Sequence, residues 1–167
     1  MASIEPEKLG EYFDAHSRAL VLYARQWVAS TGAEDLVQEV FLRLMRQPSA
    51  PENVKAWLFR SVRNAAVSRW RRRTRRARRE KQAAENHRAW FETSAAASDR
   101  AETVQSALAQ LPEGQREIVI LRLWGKLTLR EISETTGRPV STLSDRYRAA
   151  LAAMKRNLER SWEHETR

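Results

Sequence analysis

Residues Thr128 to Arg148 read TLREISETTGRPVSTLSDRYR, and the fold turns on them. Thr128 and Glu131 stand at capping-box spacing, Ile132 supplies an apolar anchor, and Gly137 sits where a left-handed residue ends a short helix over about 129–136. After Arg138-Pro139, Ser141 or Thr142 is placed to cap a longer helix. Its inner face is Val140, Leu143, Tyr147, Leu151, Met154 and Leu158, at spacings of three or four. A short helix, a tight turn containing Gly and a longer helix match a helix-turn-helix, whose second helix enters the major groove by its N-terminal end. That end carries Ser141, Thr142, Ser144, Asp145, Arg146 and Arg148. Unpaired amides at a helix N-terminus favour phosphate, and short side chains there reach base edges. A plain helical hairpin buried in a core would show the same pattern, so the rest of the chain has to decide.

The periodicity elsewhere is helical too, with no alternating strand segment and no two-residue hairpin turn, which makes the protein all-α. Leu9, Tyr12, Phe13, Leu20, Tyr23 and Trp27 predict a first helix over about Pro6–Val28. After a break at Ser30-Thr31-Gly32, Thr31 and Glu34 predict a capped second helix with an apolar stripe of Leu36, Val37, Val40, Phe41, Leu44 and Met45. Pro48 and Pro51 bracket a loop. Asn53 is placed to cap a third helix with Val54, Trp57, Leu58, Val62, Ala66 and Trp70 at helical spacing. The pattern fades from about Gln82 to Arg100, where Thr93-Ser94-Ala95-Ala96-Ala97-Ser98 reads as a tether. Val104, Leu108 and Leu111, then Ile118, Val119, Leu121, Leu123 and Trp124, predict two short helices around Pro112-Glu113-Gly114. The expected organisation is two small helical domains, 1–80 and 102–167, joined by a flexible linker at 81–101.

Charge is unevenly spread. Residues 1–68 carry 8 basic and 8 acidic side chains, residues 69–81 carry 9 and 1, and residues 82–167 carry 13 and 12, so nearly all of the net +9 lies in thirteen residues. A run such as Arg69, Arg71, Arg72, Arg73, Arg75, Arg76, Arg78, Arg79 and Lys81 repels itself and needs counterions or phosphates to stay ordered. A solvated basic linker looks the same in isolation. Here, however, the run continues a helix packed at its beginning, which holds guanidinium groups toward phosphates as a floppy tail does not.

The 167 residues suffice for one ordinary domain or two very small ones, which excludes a large multidomain enzyme. The absence of Cys removes disulfides and thiolate metal sites. His16, His87 and His164 are scattered, and neither a metal-spaced cluster nor a phosphate-cradling glycine loop is present, so no catalytic residue, metal or cofactor is expected. Glu5, Glu7, Glu11 and Asp14 near the start speak against a signal peptide, and no apolar stretch is long enough for a membrane span, so the expected location is cytoplasmic. The arginine run is polar nearly all round and offers little to insert into a membrane surface.

The stretch Ala33-Glu34-Asp35-Leu36-Val37-Gln38-Glu39-Val40-Phe41-Leu42, then Lys55-Ala56-Trp57-Leu58-Phe59-Arg60-Ser61-Val62-Arg63-Asn64 and the basic helix end, resembles region 2 of extracytoplasmic-function sigma factors. Leu111-Pro112-Glu113-Gly114-Gln115-Arg116-Glu117, then Leu129-Arg130-Glu131-Ile132 and Pro139-Val140-Ser141-Thr142-Leu143, resembles region 4 of the same family. The two matches come in the family's order and cover most of the chain.

This resemblance implies a dissociable specificity subunit of bacterial RNA polymerase, with no small-molecule substrate. It assigns Asp35, Gln38 and Glu39 to docking on the clamp helices of the β′ subunit. Pro48 through Lys55, then Arg60, Arg63 and Asn64, would bind and help open the minus-ten promoter element, with Arg69, Arg71, Arg72 and Arg73 on the same DNA. The recognition helix would read the minus-thirty-five element through Ser141, Thr142, Ser144, Asp145, Arg146 and Arg148, while region 4 also meets the β flap. Trp57 and Trp70 are residues of a type that stacks on unpaired bases, but their apolar spacing favours the core. An anti-sigma factor is a further partner the family allows, and with the chain stopping at Arg167 no appended sensor is expected.

Two positions depart from the family pattern. Ser144 and Asp145 stand where a basic and then a small polar residue are usual; Asp145 would either accept from a cytosine amine or orient Arg146 or Arg148, and it would also repel phosphate. The loop Gln47 to Asn53 lacks the Arg-Gly pair often found there. A different class, a stand-alone helix-turn-helix repressor with a basic arm, would need a dimer interface, and no heptad seam supplies one.

Overall fold

The computed structural model describes residues 4–79 and 99–165; the expected tether, apart from its last residues, lies outside them. Among the described residues all regular structure is helical: α1 (Pro6–Ala24), α2 (Ser30–Met45), α3 (Val54–Arg79), α4 (Asp99–Ala109), α5 (Glu113–Val119), α6 (Leu129–Thr136) and α7 (Val140–Glu165), with a π turn at Ile120–Trp124.

The amino-terminal unit is a three-helix bundle. Leu36, Val37, Val40, Phe41 and Leu44 of α2 face Leu20, Tyr23 and Ala24 of α1 and Leu58, Phe59, Val62 and Ala66 of α3, all buried. Each large side chain removed from water in this way contributes about 1.5–3 kcal/mol. α3 starts as its sequence predicts: the Asn53 Oδ1 accepts from the Ala56 amide at 3.0 Å. Beyond Ala66 it leaves the bundle and carries the arginine run as continuous helix to Arg79.

Four expectations for this unit are corrected. α1 stops at Ala24 rather than Val28, because the next amides bond three residues back, Gln26 to Tyr23 and Trp27 to Ala24. That turn swings Trp27 edge-on to Tyr23, with ring centroids 5.2 Å apart. The Thr31–Glu34 capping box does not form, since the Ala33 amide already bonds the Ala29 carbonyl at 2.8 Å and places Thr31 inside the first turn. Met45, expected in the α2 stripe, is 47% exposed, the stripe having rotated past it by the last turn. Trp70, expected in the core, is 42% exposed because α3 has outrun α1 and α2 at that point.

In the carboxy-terminal unit α4, α5 and α7 enclose Ala107, Leu108, Leu111, Val119, Ala150 and Met154. Residues 99–101, at the end of the expected linker, form the first turn of α4. Arg116 clamps the end of α4, its guanidinium donating to the carbonyls of Leu108, Ala109 and Leu111. In the π turn the Gly125 amide reaches the Ile120 carbonyl at 2.9 Å. Lys126 then takes φ 52°, reversing the chain. α6 follows its predicted grammar: the Thr128 hydroxyl accepts from the Glu131 amide, the Glu131 carboxylate accepts from the Thr128 amide, and Gly137 closes the helix at φ 72°. α7 begins one residue before its predicted caps, so Ser141 and Thr142 lie in its first turn rather than capping it. Its inner face runs through Leu143, Tyr147, Ala150, Met154 and Asn157, whereas Val140 and Leu151 are exposed.

The two units share a buried cluster besides the one enclosed by α4, α5 and α7. Phe59 and Leu58 of α3 belong to the same buried cluster as Ile118, Ile120, Leu121, Leu127, Ile132 and Leu143. Gly125 makes the approach possible: a Cβ there would lie 2.7 Å from the Leu121 carbonyl oxygen, 2.8 Å from Leu127 Cδ1 and 3.0 Å from Phe59 Cζ.

Candidate nucleic-acid interface

Beyond the bundle, α3 is a rod of cations. Arg60, Asn64, Arg71, Arg75 and Arg78, separated by four, seven, four and three residues, share its outer, exposed face. Arg72 is exposed on the flank and Arg73 on the opposite side of the helix. Neutralising such a rod with a phosphate backbone releases counterions. Arg69 is turned differently: it donates to Glu39 and to the Gly32 carbonyl, tying α3 to α2.

The start of α3 faces the other unit. Lys55 donates to the Lys126 carbonyl at 2.8 Å and lies 3.8 Å from the Glu131 carboxylate, while the Asn53 amide donates to Glu131 at 2.6 Å. Pro51, Asn53, Trp57 and Arg60 border a recess of about 220 Å³ closed on its far side by Glu134 and Thr135 of α6. One turn on, the Arg63 Nε donates to Glu117 at 2.7 Å. Glu117 is 2% exposed and also accepts from the Tyr23 hydroxyl at 2.8 Å, with the Arg138 guanidinium 3.9 Å from its second oxygen. Arg63 stacks over Trp27, 6.0 Å from the ring centroid.

The electrostatics follow from that packing. Burial opposes the Arg63 charge, but the hydrogen bond and attraction of Glu117 prevail and hold its pKa above the usual arginine value. Burial, followed by the Glu117 charge, pushes the Tyr23 phenol well above its ordinary range, so it remains a donor. Burial would raise the Glu131 carboxyl. Bonds from Thr128 and Asn53 and the charge of Lys55 outweigh it and hold the group below its ordinary value.

On α2, Asp35, Gln38 and Glu39 are exposed along one face, which they share with Leu42 at 48% exposure. Glu39 is held between Arg43 and Arg69. Leu42 and Met45 give this acidic face an apolar component that the sequence pattern alone did not indicate. At the start of α7, Ser141, Asp145 and Arg148 are exposed and Thr142, Ser144 and Arg146 half-buried. Asp145 binds Arg148 at 2.7 Å, one of the two arrangements the sequence left open for it. Arg146 lies back over Gly114 of α5 instead, beside Arg138. Sequence reasoning placed Tyr23 on the apolar face of the first helix and Glu117 in the region 4 motif but did not pair them; the only local signal was a carboxylate at the head of the apolar run Ile118 to Leu121.

A bundle that ends in a cationic helix, joined to a helix-turn-helix with an open recognition helix, defines a two-part nucleic-acid-binding protein. Models of two families match it: Sigma-70 region 2 over residues 12–76 and Sigma-70 region 4 over residues 101–154. The chain carries both regions and belongs to the sigma-70 family. The ECF RNA polymerase sigma factor RpoE of Cereibacter sphaeroides is 38% identical over 52 residues, 31% of this chain and 29% of that protein, so the chain aligns with under a third of its length. Among solved structures, the sigma factor RpoE in complex with the anti-sigma factor NepR from Bartonella quintana superposes with a TM-score of 0.74 at 22% identity, over 92% of this chain and 98% of that one. CnrH in complex with the cytosolic domain of CnrY superposes with a TM-score of 0.60 at 24% identity, over 93% and 90%. These two share the fold.

Proposed function

We propose that the chain is a transcription initiation factor: it binds core RNA polymerase, directs it to particular promoters and helps open DNA at the minus-ten element. It is a specificity subunit and not an enzyme; the catalysis belongs to the polymerase. What carries this reading is the occurrence in one chain, in the family's order, of the acidic α2 face, the cationic α3 and the helix-turn-helix of α6–α7.

Each part then has a task. Asp35, Gln38 and Glu39 dock on the β′ clamp helices, with Leu42 and Met45 adding apolar area. Lys55, Arg60, Arg63 and Asn64 engage the minus-ten element, and Arg71, Arg72 and Arg73 supply sequence-independent attraction. The exposed start of α7 reads the minus-thirty-five element, while region 4 also rests on the β flap. Two weak sites on one chain raise each other's effective concentration. The working compartment is the cytoplasm, where the polymerase acts; no described helix is long and apolar enough to cross a membrane. A proteinaceous antagonist of the anti-sigma kind is a further partner on this reading, since one solved relative is such a complex.

The test is transcription in vitro with core polymerase and a pool of genomic fragments from the source organism. Specific initiation that depends on the chain supports the reading, as does reduced capture of core enzyme by Asp35→Arg. Tight sequence-specific footprinting by the chain alone, with no initiation from any fragment, would replace it with the stand-alone repressor.

A further inference from the structure

The first turns of α7 carry two arginines, and the structure separates them. Ser141, Asp145 and Arg148, spaced by four and three residues, form an exposed stripe opposite the buried Leu143, Ala150 and Met154. Arg146 leaves that stripe. It is half-buried, and a Cβ on Gly114 of α5 would lie 3.1 Å from its Nη1 and 3.2 Å from Arg138 Nη1, so the two guanidinium groups sit together there. Arg148 stays on the stripe, where its Nη2 donates to Asp145 Oδ1 at 2.7 Å with both side chains 74% exposed. Ala152 continues the stripe as a small exposed side chain and puts no bulk beside Arg148.

We propose that Asp145 is a positioning residue for Arg148, and that the pair makes guanine a base required at the exposed start of α7. This rests on the assignment of α7 to the minus-thirty-five element under the proposed function. An ion pair as exposed as this one adds little to stability. Its effect lies in direction, because a guanidinium already tethered loses less rotamer freedom when it meets DNA. Arg148 spends one Nη2 hydrogen on Asp145. Whichever of the two it spends, one two-donor edge of the planar guanidinium remains, either Nη1 with Nη2 or Nε with Nη2. That edge matches guanine, which presents O6 and N7 side by side as acceptors in the major groove. Adenine and cytosine each place a donor amine there, and thymine offers a single O4 beside its methyl group.

The charge of Asp145 marks the role of the pair. A carboxylate on the stripe that meets DNA repels phosphate and cancels much of the attraction Arg148 would offer the backbone. The pair therefore gives up general attraction for choice of base. Arg146 does the reverse: turned away from the stripe and lying beside Arg138, it adds positive charge without facing a base edge. The two arginines of the recognition helix thus divide its work, one orienting on a base and one drawing in the backbone.

The experiment loads the full chain onto core polymerase, selects duplexes from a library with a randomised upstream segment and sequences those retained. Wild type should enrich a motif containing guanine, and Arg148→Ala should lower the preference for that guanine roughly 5- to 150-fold. Asp145→Ala should lower the same preference in part and add nothing further in the Arg148→Ala background. As the free chain, Asp145→Ala should nevertheless bind mixed-sequence duplex more tightly, with a salt slope steeper by up to ~0.9 as Arg148 turns to a phosphate. Arg146→Ala should weaken binding to all sequences alike. Both members of the pair are exposed, so melting temperatures of Asp145→Ala and Arg148→Ala should match wild type, and a merely structural role would leave the base preference unmoved. An enriched motif without guanine, a guanine preference that survives Arg148→Ala, or one that Asp145→Ala leaves unchanged, would overturn the inference while initiation stands. Failure of the wild type to enrich any sequence or to initiate would instead overturn the proposed function, and the role of the pair with it.

Discussion

Arg63 and Glu117, 54 positions apart and in different units, meet at 2.7 Å in a seam where Glu117 is almost fully shielded from water. Removing one member of such a pair leaves the other charged and unpaired, whereas replacing both by apolar residues is far less disruptive. Arg63 keeps 22% of its side chain exposed, which lowers the penalty on its side. Glu117→Ala should therefore cost about 2–4 kcal/mol in denaturant unfolding. The pair Arg63→Met with Glu117→Leu should cost clearly less than the sum of the singles. Additive losses would show that the two residues act independently.

Glycine substitutions should split in sign. Gly125→Ala drives a methyl against backbone and against Phe59, and should destabilise by about 1–3 kcal/mol. Gly10, in an exposed stretch of α1 with open space around it, should stabilise by about 0.4–1 kcal/mol when changed to Ala. Gly137→Ala should cost on the order of 1 kcal/mol, because φ 72° strains any L side chain. Melting temperatures of the three variants check the set.

The pH dependence has a defined sign. Because the Glu131 carboxyl lies below its unfolded value in the native state, its contribution is complete above the ordinary carboxylate pKa of about 4.3 and disappears as pH falls through the depressed value. The wild type should lose more stability than Glu131→Gln between pH 5 and pH 3, seen as converging melting temperatures at the acid end. His16 adds a second window: burial and the nearby Lys55 lower its pKa. Its contribution is therefore complete above the unfolded value of about 6.5 and is lost as pH falls through the lower native one. His16→Asn should flatten that part of the profile.

The cationic rod predicts a salt effect. Changing Arg71, Arg72, Arg73, Arg75 and Arg76 to Gln should reduce the slope of log affinity for duplex DNA against log salt by up to ~0.9 for each phosphate no longer neutralised. An unaltered slope would relegate these arginines to solvated charge.

The parts of the fold that were legible are those whose causes lie within a few residues. Thr128, Glu131 and Gly137 delimit α6 because caps are local hydrogen bonds and a local φ. Asn53 caps α3 for the same reason. Thr31 and Glu34 have identical spacing, yet the helix was already under way at Ser30, and spacing alone cannot report which turn comes first. Trp70 and Met45 sit on the right periodicity but past the ends of their neighbours, and how far a neighbouring helix reaches is a property of the bundle. Likewise the acidic face of α2 and the arginine run could be read from local pattern. Tyr23 and Glu117 could not, because a contact across 94 residues leaves no periodic trace.

Five polar contacts of the seam, from Tyr23 and Arg63 to Glu117, Trp27 to Glu113, Asn53 to Glu131 and Lys55 to the Lys126 carbonyl, run from the amino-terminal unit to the carboxy-terminal one, which bears on how such chains diversify. Halves from different relatives form a closed whole only if the acceptors of one were selected against the donors of the other. A transplanted tail with lysine in place of Glu117 would set two cations face to face with Arg63 and spring the molecule apart. A hybrid therefore keeps the closed form only where both sides of the joint travel together.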